Sequence, residues 1–316
     1  MKVRVKVPPS PFRLLKERYF GEETRNPWVA RNALTSLSAR LPADVVPIVS
    51  QAVHSLIDYQ DPDYALLYLE RIERYLGPRG PVLPTLGELA SLLSQRMQFE
   101  DPIHIAQLKL AEAGGAAAKP DRRASIRVEK FRWDEIIQML PSVAAAKALN
   151  VFARLRLARL SHRTVTMRFR ATGYFSLLRL RWLAALRITR PFSRRFKAER
   201  TSVERWLHMV DRTLVKQPAA AGEVVKTAML ITGHGDEYQH GLSKWNVIID
   251  SLVKPTCDDT LPLQRLSDAV RDARQAAMEE TGNSRLLHVI EHIRAEARRE
   301  SGTDTGSGVR IVPGGA

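Results

Sequence analysis

The chain has 316 residues, with 49 Lys and Arg against 34 Asp and Glu, a formal charge of +15. Hydrophobic residues make up 44% and charged residues 26%, an ordinary globular composition that excludes a disordered or collagenous chain. A single thiol, Cys257, excludes an internal disulfide, and also a zinc ribbon or an Fe–S cluster ligated by this chain alone.

Residues 1–25 read as a poorly structured segment, with Val3, Val5 and Val7 alternating as in an edge strand. The basic start lacks the apolar run of a signal peptide. The most apolar helix-length stretch, Tyr174 to Ile188, is short and carries Arg179, Arg181 and Arg187, so no membrane span is expected. The expected compartment is the cytoplasm.

Helical punctuation then repeats. Asn26-Pro27, Asp61-Pro62 and Asp101-Pro102 each set a capping side chain before a proline that loses no hydrogen bond at the first helical position. Thr85 and Glu88 have capping-box spacing. Helices are expected near 27–39, 43–59, 62–76, 86–98 and 102–113, a first helical subdomain over 26–113. Val45, Ile48, Val49, Ala52, Val53 and Leu56 form an apolar stripe on the second, and the short Gln60-Asp61 corner folds the third back on it. Gly114 to Pro120 is a small-residue break.

A second, basic helical subdomain over 121–300 is expected to pack on the first. It opens with two candidate strands, Ser125–Phe131 and Thr164–Arg170, that can pair with each other. Between them lies a helical stretch from Trp133 to Leu160, interrupted at Pro141. Helices follow near 175–188, 193–216, 219–231, 238–253, 263–280 and 284–299, and 301–316 reads as a disordered tail. The fold class is mainly α, a multi-helix bundle with at most a small two-stranded β element.

The charge is concentrated. Val151 to Arg200 holds fourteen basic residues and one acid, Glu199, a net of +13, with seven aromatics interleaved. Three functions fit such a window: docking to an acidic protein, a pocket for a phosphorylated cofactor, or nucleic-acid binding. The plain alternative is a solvated face with arginine stems laid along the helices. Arg168, Arg170, Arg179 and Arg181 are the candidate anion or partner contacts. No signature of a known nucleic-acid-binding motif accompanies them.

No dinucleotide, P-loop or hydrolase-nucleophile motif occurs. Cys257 is followed by Asp258 and Asp259, which disfavour a thiolate. His234, Asp236 and His240 are conceivable metal ligands, but their spacing matches no standard site, and Gly233 as a helix end with Asp236 capping the next helix explains the same residues. Asp58, Tyr59, Gln60 and Asp61 read as the hairpin corner, with Tyr59 and Tyr64 packing across it. No catalytic, cofactor-binding or metal residue is assigned.

Specific runs nevertheless resemble a known family. Leu41-Pro-Ala-Asp44 and the run from Leu56 to Arg71, with Asp58, Tyr59, Gln60, Asp61 and Tyr64, are similar to the large indolepyruvate ferredoxin oxidoreductases. The likeness is to the uncharacterised helical region after the gamma-type 2-oxoacid oxidoreductase domain of their beta-type subunit. Phe99 to Lys109, Thr172 to Arg181, Glu204 to Leu207, and Ile231 to Asp236 with Gly241 follow in the same order, covering about residues 34 to 300. Gly233, Gly235 and Asp236 match, whereas Thr232 and His234 stand where relatives usually have Lys and Tyr. The resemblance implies an accessory, non-catalytic domain or split subunit without the gamma-type domain. Its implied partner is the catalytic subunit of a 2-oxoacid oxidoreductase, which would carry the thiamine diphosphate and Fe–S clusters. This chain has neither the cysteines nor the diphosphate–metal motif for them. Nucleic-acid or anionic-surface binding through 151–200 is the other reading.

Overall fold

The computed structural model describes residues 27–76, 85–115, 126–140, 142–154, 164–171, 173–280 and 282–304. It is mainly α, with one two-stranded antiparallel sheet among the described residues. The expected edge strand at Val3, Val5 and Val7 lies outside them.

Helices α1 (Pro27–Ser38), α2 (Val46–Tyr59), α3 (Pro62–Glu73) and α4 (Thr85–Met97) open the fold. In α2 the apolar residues at helical spacing, Val49, Ala52, Val53, Leu56 and Tyr59, are all buried, which fixes the face it turns inward. At the corner, the Asp61 carboxylate accepts the Tyr64 N–H at 2.8 Å, and Pro62 starts α3 without losing a hydrogen bond. Asp101 does the same for α5 (Pro102–Gly115), accepting the His104 N–H at 2.6 Å.

Strand β1 (Ile126–Arg132) pairs with β2 (Thr164–Arg170) in the register Ile126 to Arg170, Val128 to Arg168 and Arg132 to Thr164. Period-2 alternation puts Phe131 and Phe169 on the buried side, and Ile126, Val128, Arg168 and Arg170 outside. Short α6 (Trp133–Gln138) and α7 (Ser142–Arg154) lie between the strands. Then come α8 (Tyr174–Ala185), a 3-10 segment at Leu186–Phe192, and the long α9 (Arg194–Lys216), capped by the Ser193 hydroxyl accepting the Phe196 N–H at 3.1 Å.

The remaining helices are α10 (Ala221–Lys226), α11 (Gly235–Ile248), α12 (Lys254–Cys257), α13 (Leu266–Glu279) and α14 (Ser284–Asp304). Three sequence expectations change here. A continuous helix over 219–231 is instead a short α10 flanked by 3-10 turns at Pro218–Ala220 and Thr227–Leu230. The helix expected to stop at 253 continues past Pro255, because a π-turn at Ile249–Val253 absorbs the hydrogen bond that proline cannot donate. Ser301 to Asp304, read as the start of a tail, are the last residues of the 21-residue α14, since extending an existing helix needs no new nucleus.

The main core joins α1–α4 to α9–α14 in one cluster. Trp206 and Trp245 are its largest side chains, their indole N–H groups bonded to the Val224 carbonyl (3.3 Å) and the Thr227 hydroxyl (3.2 Å). A second, small cluster of Ile105, Ala106, Phe131, Phe169 and Leu180 lies among α5, the hairpin and α8. The two cores meet at a layer of charged side chains.

Candidate functional site

That layer starts at the corner between α2 and α3. Tyr59 is buried, its hydroxyl donates to the Phe99 carbonyl at 3.2 Å, and its ring lies 6.1 Å from that of Tyr64. Arg190 sits over the Tyr59 ring with its guanidinium carbon 4.0 Å from the centroid. The same guanidinium grips Asp101 with both forks, Nε to Oδ2 at 2.9 Å and Nη2 to Oδ1 at 3.0 Å, while Nη1 donates to the Tyr59 carbonyl at 2.7 Å. Gln60 donates to the Arg187 carbonyl (3.1 Å), Arg187 donates to the Asp58 carbonyl (3.2 Å), and Gln107 donates to both Asp58 and Tyr59 carbonyls. Burial, partly opposed by Arg190, raises the Tyr59 hydroxyl well above its ordinary pKa. His104, 4.9 Å from the Tyr59 ring, is pushed down to about 4 by burial and is neutral, its Nδ1 without a partner.

A second charged set continues from the first. Arg195, in the first turn of α9, lies between the rings of Phe99 (5.3 Å) and Tyr238 (5.0 Å) and pairs with Glu135 at 3.2 Å. Glu135 also accepts the Gly235 N–H at 2.8 Å and thereby caps α11 from outside it. Glu199 lies 3.8 Å from Arg195 and 3.5 Å from Arg96. Two arginines against two carboxylates leave this buried set balanced in charge, although Arg195 Nε and Nη2 and Glu199 Oε1 make no hydrogen bond.

His234 closes the joint to the hairpin. Its Nδ1 is 3.1 Å from Glu100, its Nε2 is 3.3 Å from Glu129, and its ring stacks on Phe131 at 4.6 Å. The bond to Glu100 and the neighbouring carboxylates raise the His234 pKa against the opposing effect of burial, and the same bond lowers that of Glu100. Gly233 (φ 71°) and Gly235 (φ 65°) give the backbone the left-handed turns that bring His234 there. Asp236 does not cap α11. It pairs with Arg132 at 2.9 Å, and the cap is supplied by Glu135, so that expectation is corrected. His240 is exposed, Asp236 faces Arg132 and His234 faces two glutamates, so the three conceivable metal ligands do not converge. Among the described residues no cluster of three or more His, Cys, Asp or Glu is arranged to hold a metal ion. Cys257, the one thiol of the chain, cannot ligate a cluster that needs several, and it lies 3.9 Å from the Thr213 hydroxyl.

Between the end of α4 and the Ile231–Gly233 turn lies a cleft of about 280 Å³, lined among others by Arg96, Phe99, Glu100, Thr232 and Tyr238. The runs that carried the resemblance therefore meet in space. Arg71, closing the first run, pairs with Glu204 at 2.6 Å. Gly241 packs so tightly that a Cβ there would sit 2.1 Å from the Leu230 carbonyl oxygen. The basic window divides. Arg190 and Arg195 are internal, while Arg168, Arg170, Arg179 and Arg181 are exposed on the hairpin and α8, with Arg179 donating to the Arg168 carbonyl. The roles of Arg190, Arg195 and Glu135 escaped the sequence reading, and Asp101 was read there only as a helix cap. The one signal was Glu199, the sole acid of the window, one helical turn after Arg195.

Fold and joint together define a helical protein in which two cores are tied by buried ion pairs. Residues 45–251 match the model of a family of unknown function, DUF6537, and the chain belongs to that family. No curated protein and no solved structure matches it.

Proposed function

We propose that the chain is an accessory, non-catalytic domain or split subunit of a 2-oxoacid:ferredoxin oxidoreductase of the indolepyruvate type. Its partner in this reading is the catalytic subunit, which carries the thiamine diphosphate and Fe–S clusters, and both work in the cytoplasm. The observation that supports the reading is how the family-like residues are engaged. The Tyr59 carbonyl and the Asp101 carboxylate are both held by Arg190, the Gly235 N–H is bonded to Glu135 and Asp236 pairs with Arg132, as residues that set architecture do. What the protein offers outward at the hairpin and α8 is arginine and aromatic side chains, chemistry suited to assembly.

The test is calorimetric titration of the full chain with a purified thiamine-diphosphate-dependent catalytic subunit from the same genome. Saturable binding that weakens with salt is expected. No heat at low salt, with both proteins folded, would sink the reading. The exposed arginines and aromatics also fit a nucleic-acid binder. Titration against duplex and single-stranded oligonucleotides at low salt separates the two, because phosphate contacts give a steep salt dependence.

A further inference from the structure

The cleft between the end of α4 and the Ile231–Gly233 turn holds two charged groups whose bonding is unfinished. Arg96 is only 5% exposed and lines it. Its Nη2 donates to the Ser202 hydroxyl at 3.1 Å and reaches Glu199 at 3.5 Å, while Nε and Nη1 have no partner among the described residues. Glu100, partly exposed, lines the same cleft. Its Oε2 takes the bond from His234 at 3.1 Å, and the nearest cation to its Oε1 is Arg127 at 3.8 Å, too far for a hydrogen bond. The His234 bond also holds the Glu100 carboxyl below its ordinary pKa, so it is charged at neutral pH. Both groups need a complement from outside the chain. Much of the remaining wall is apolar, with Leu92, Phe99 and Ile231 each less than a tenth exposed.

We propose that this cleft binds a free α-amino acid with an apolar side chain. The ligand's carboxylate lies on Arg96, its ammonium on Glu100 and its side chain against Leu92, Phe99 and Ile231. The site is independent of the partner proposed above. The lining charges select the ligand. A carboxylate matches the two unused donors of a guanidinium with a pair of bonds. An acid without an amine brings its charge to a cleft that already holds Glu100, and an amine without an acid meets Arg96 in the same way. A phosphate or nucleotide brings about two negative charges to a lining with one cation and one carboxylate. A divalent metal ion needs several oxygen ligands and finds one carboxylate beside an arginine. Size agrees, since about 280 Å³ lies just under the range of about 300–1,000 Å³ usual for small-molecule pockets. Past Gln95 and Thr232 the cleft meets a second hollow of about 540 Å³ beside Met229, which gives a way in.

The full chain is titrated by calorimetry with L-leucine and L-phenylalanine, with their des-amino acids isocaproate and hydrocinnamate, with the amines isoamylamine and phenethylamine, and with inorganic phosphate. At least one amino acid should bind about tenfold or more tightly than either of its analogues, because each analogue lacks a charge-assisted hydrogen bond. Arg96→Gln and Glu100→Gln should each weaken it by a similar factor. Gln95→Trp, at an exposed position on the rim, should obstruct the cleft while circular dichroism shows an unchanged fold. Gln95→Trp and Glu100→Gln decide the matter if Arg96→Gln, at a buried position, does not fold. Failure of both amino acids to bind at millimolar concentration overturns the proposal. So does a des-amino acid, an amine or phosphate that binds as well as the amino acid, or amino-acid binding that Gln95→Trp or Glu100→Gln leaves unchanged.

Discussion

Replacing Arg190 by methionine keeps an apolar stem over Tyr59 and removes only the guanidinium. Arg190 and Asp101 are each 1% exposed, so no water takes over the lost bonds. The Asp101 carboxylate loses two charge-assisted hydrogen bonds, at 2.9 and 3.0 Å, and keeps only its capping bond from the His104 N–H. The Tyr59 carbonyl loses the donor at 2.7 Å. Removing one member of a buried ion pair costs about 3–5 kcal/mol, most of it from the stranded charge. R190M should therefore lower stability in guanidinium chloride unfolding by that amount. Adding D101N removes the stranded charge while asparagine still caps α5, so the double variant should recover about 2 kcal/mol relative to the sum of the singles. A single-variant loss under about 1 kcal/mol, or simple additivity, would refute the assignment of this pair as the tie between the cores.

Gly241→Ala should destabilise by about 3 kcal/mol in the same assay, because the new methyl meets backbone that cannot retreat. Gly114→Ala, with nothing within 4 Å of the added Cβ, should be neutral or stabilise by up to about 1 kcal/mol. His234 has a folded-state pKa raised above 6.5, so its contribution is complete below that value and is lost as pH rises through the raised one. The stability gap between the native chain and His234→Gln, measured by urea unfolding at pH 6 and pH 9, should shrink at the higher pH, and a constant gap would count against the Glu100–His234–Glu129 bridge. R179E/R181E should change the unfolding free energy by no more than about 0.5 kcal/mol, since exposed charges contribute little to stability.

Much of the helical outline was legible because its signals are local. Asp61-Pro62 and Asp101-Pro102 announce helix starts by their own hydrogen-bonding chemistry, and alternation at Val165, Met167 and Phe169 announces a strand. The joint was not legible, because its bonds join residues far apart. Arg190 and Asp101 are separated by 89 positions, and Glu135 caps a helix that begins 100 residues later. Local reasoning therefore assigned the cap to Asp236, the nearest carboxylate, and counted Arg190 and Arg195 with the surface charge. A charge count records how many arginines a segment has, and burial decides which of them face outward. The turn at Ile249–Val253 escaped for a related reason: Pro255 reads as a stop unless a wider turn precedes it.

The small cluster under the hairpin has five buried side chains. At about 1.5–3 kcal/mol for each large one, that is far less than the conformational entropy of the segments it holds together. The hairpin and α8 therefore keep their shape by leaning on the main body through Glu135, Arg195 and His234. Hydrogen exchange should find them opening together, before the tryptophan-centred core does. A molecule that binds the outside of α8 thus acts on an element whose order is itself in the balance, and occupancy there would be felt as a tightening of amide protection across the hairpin.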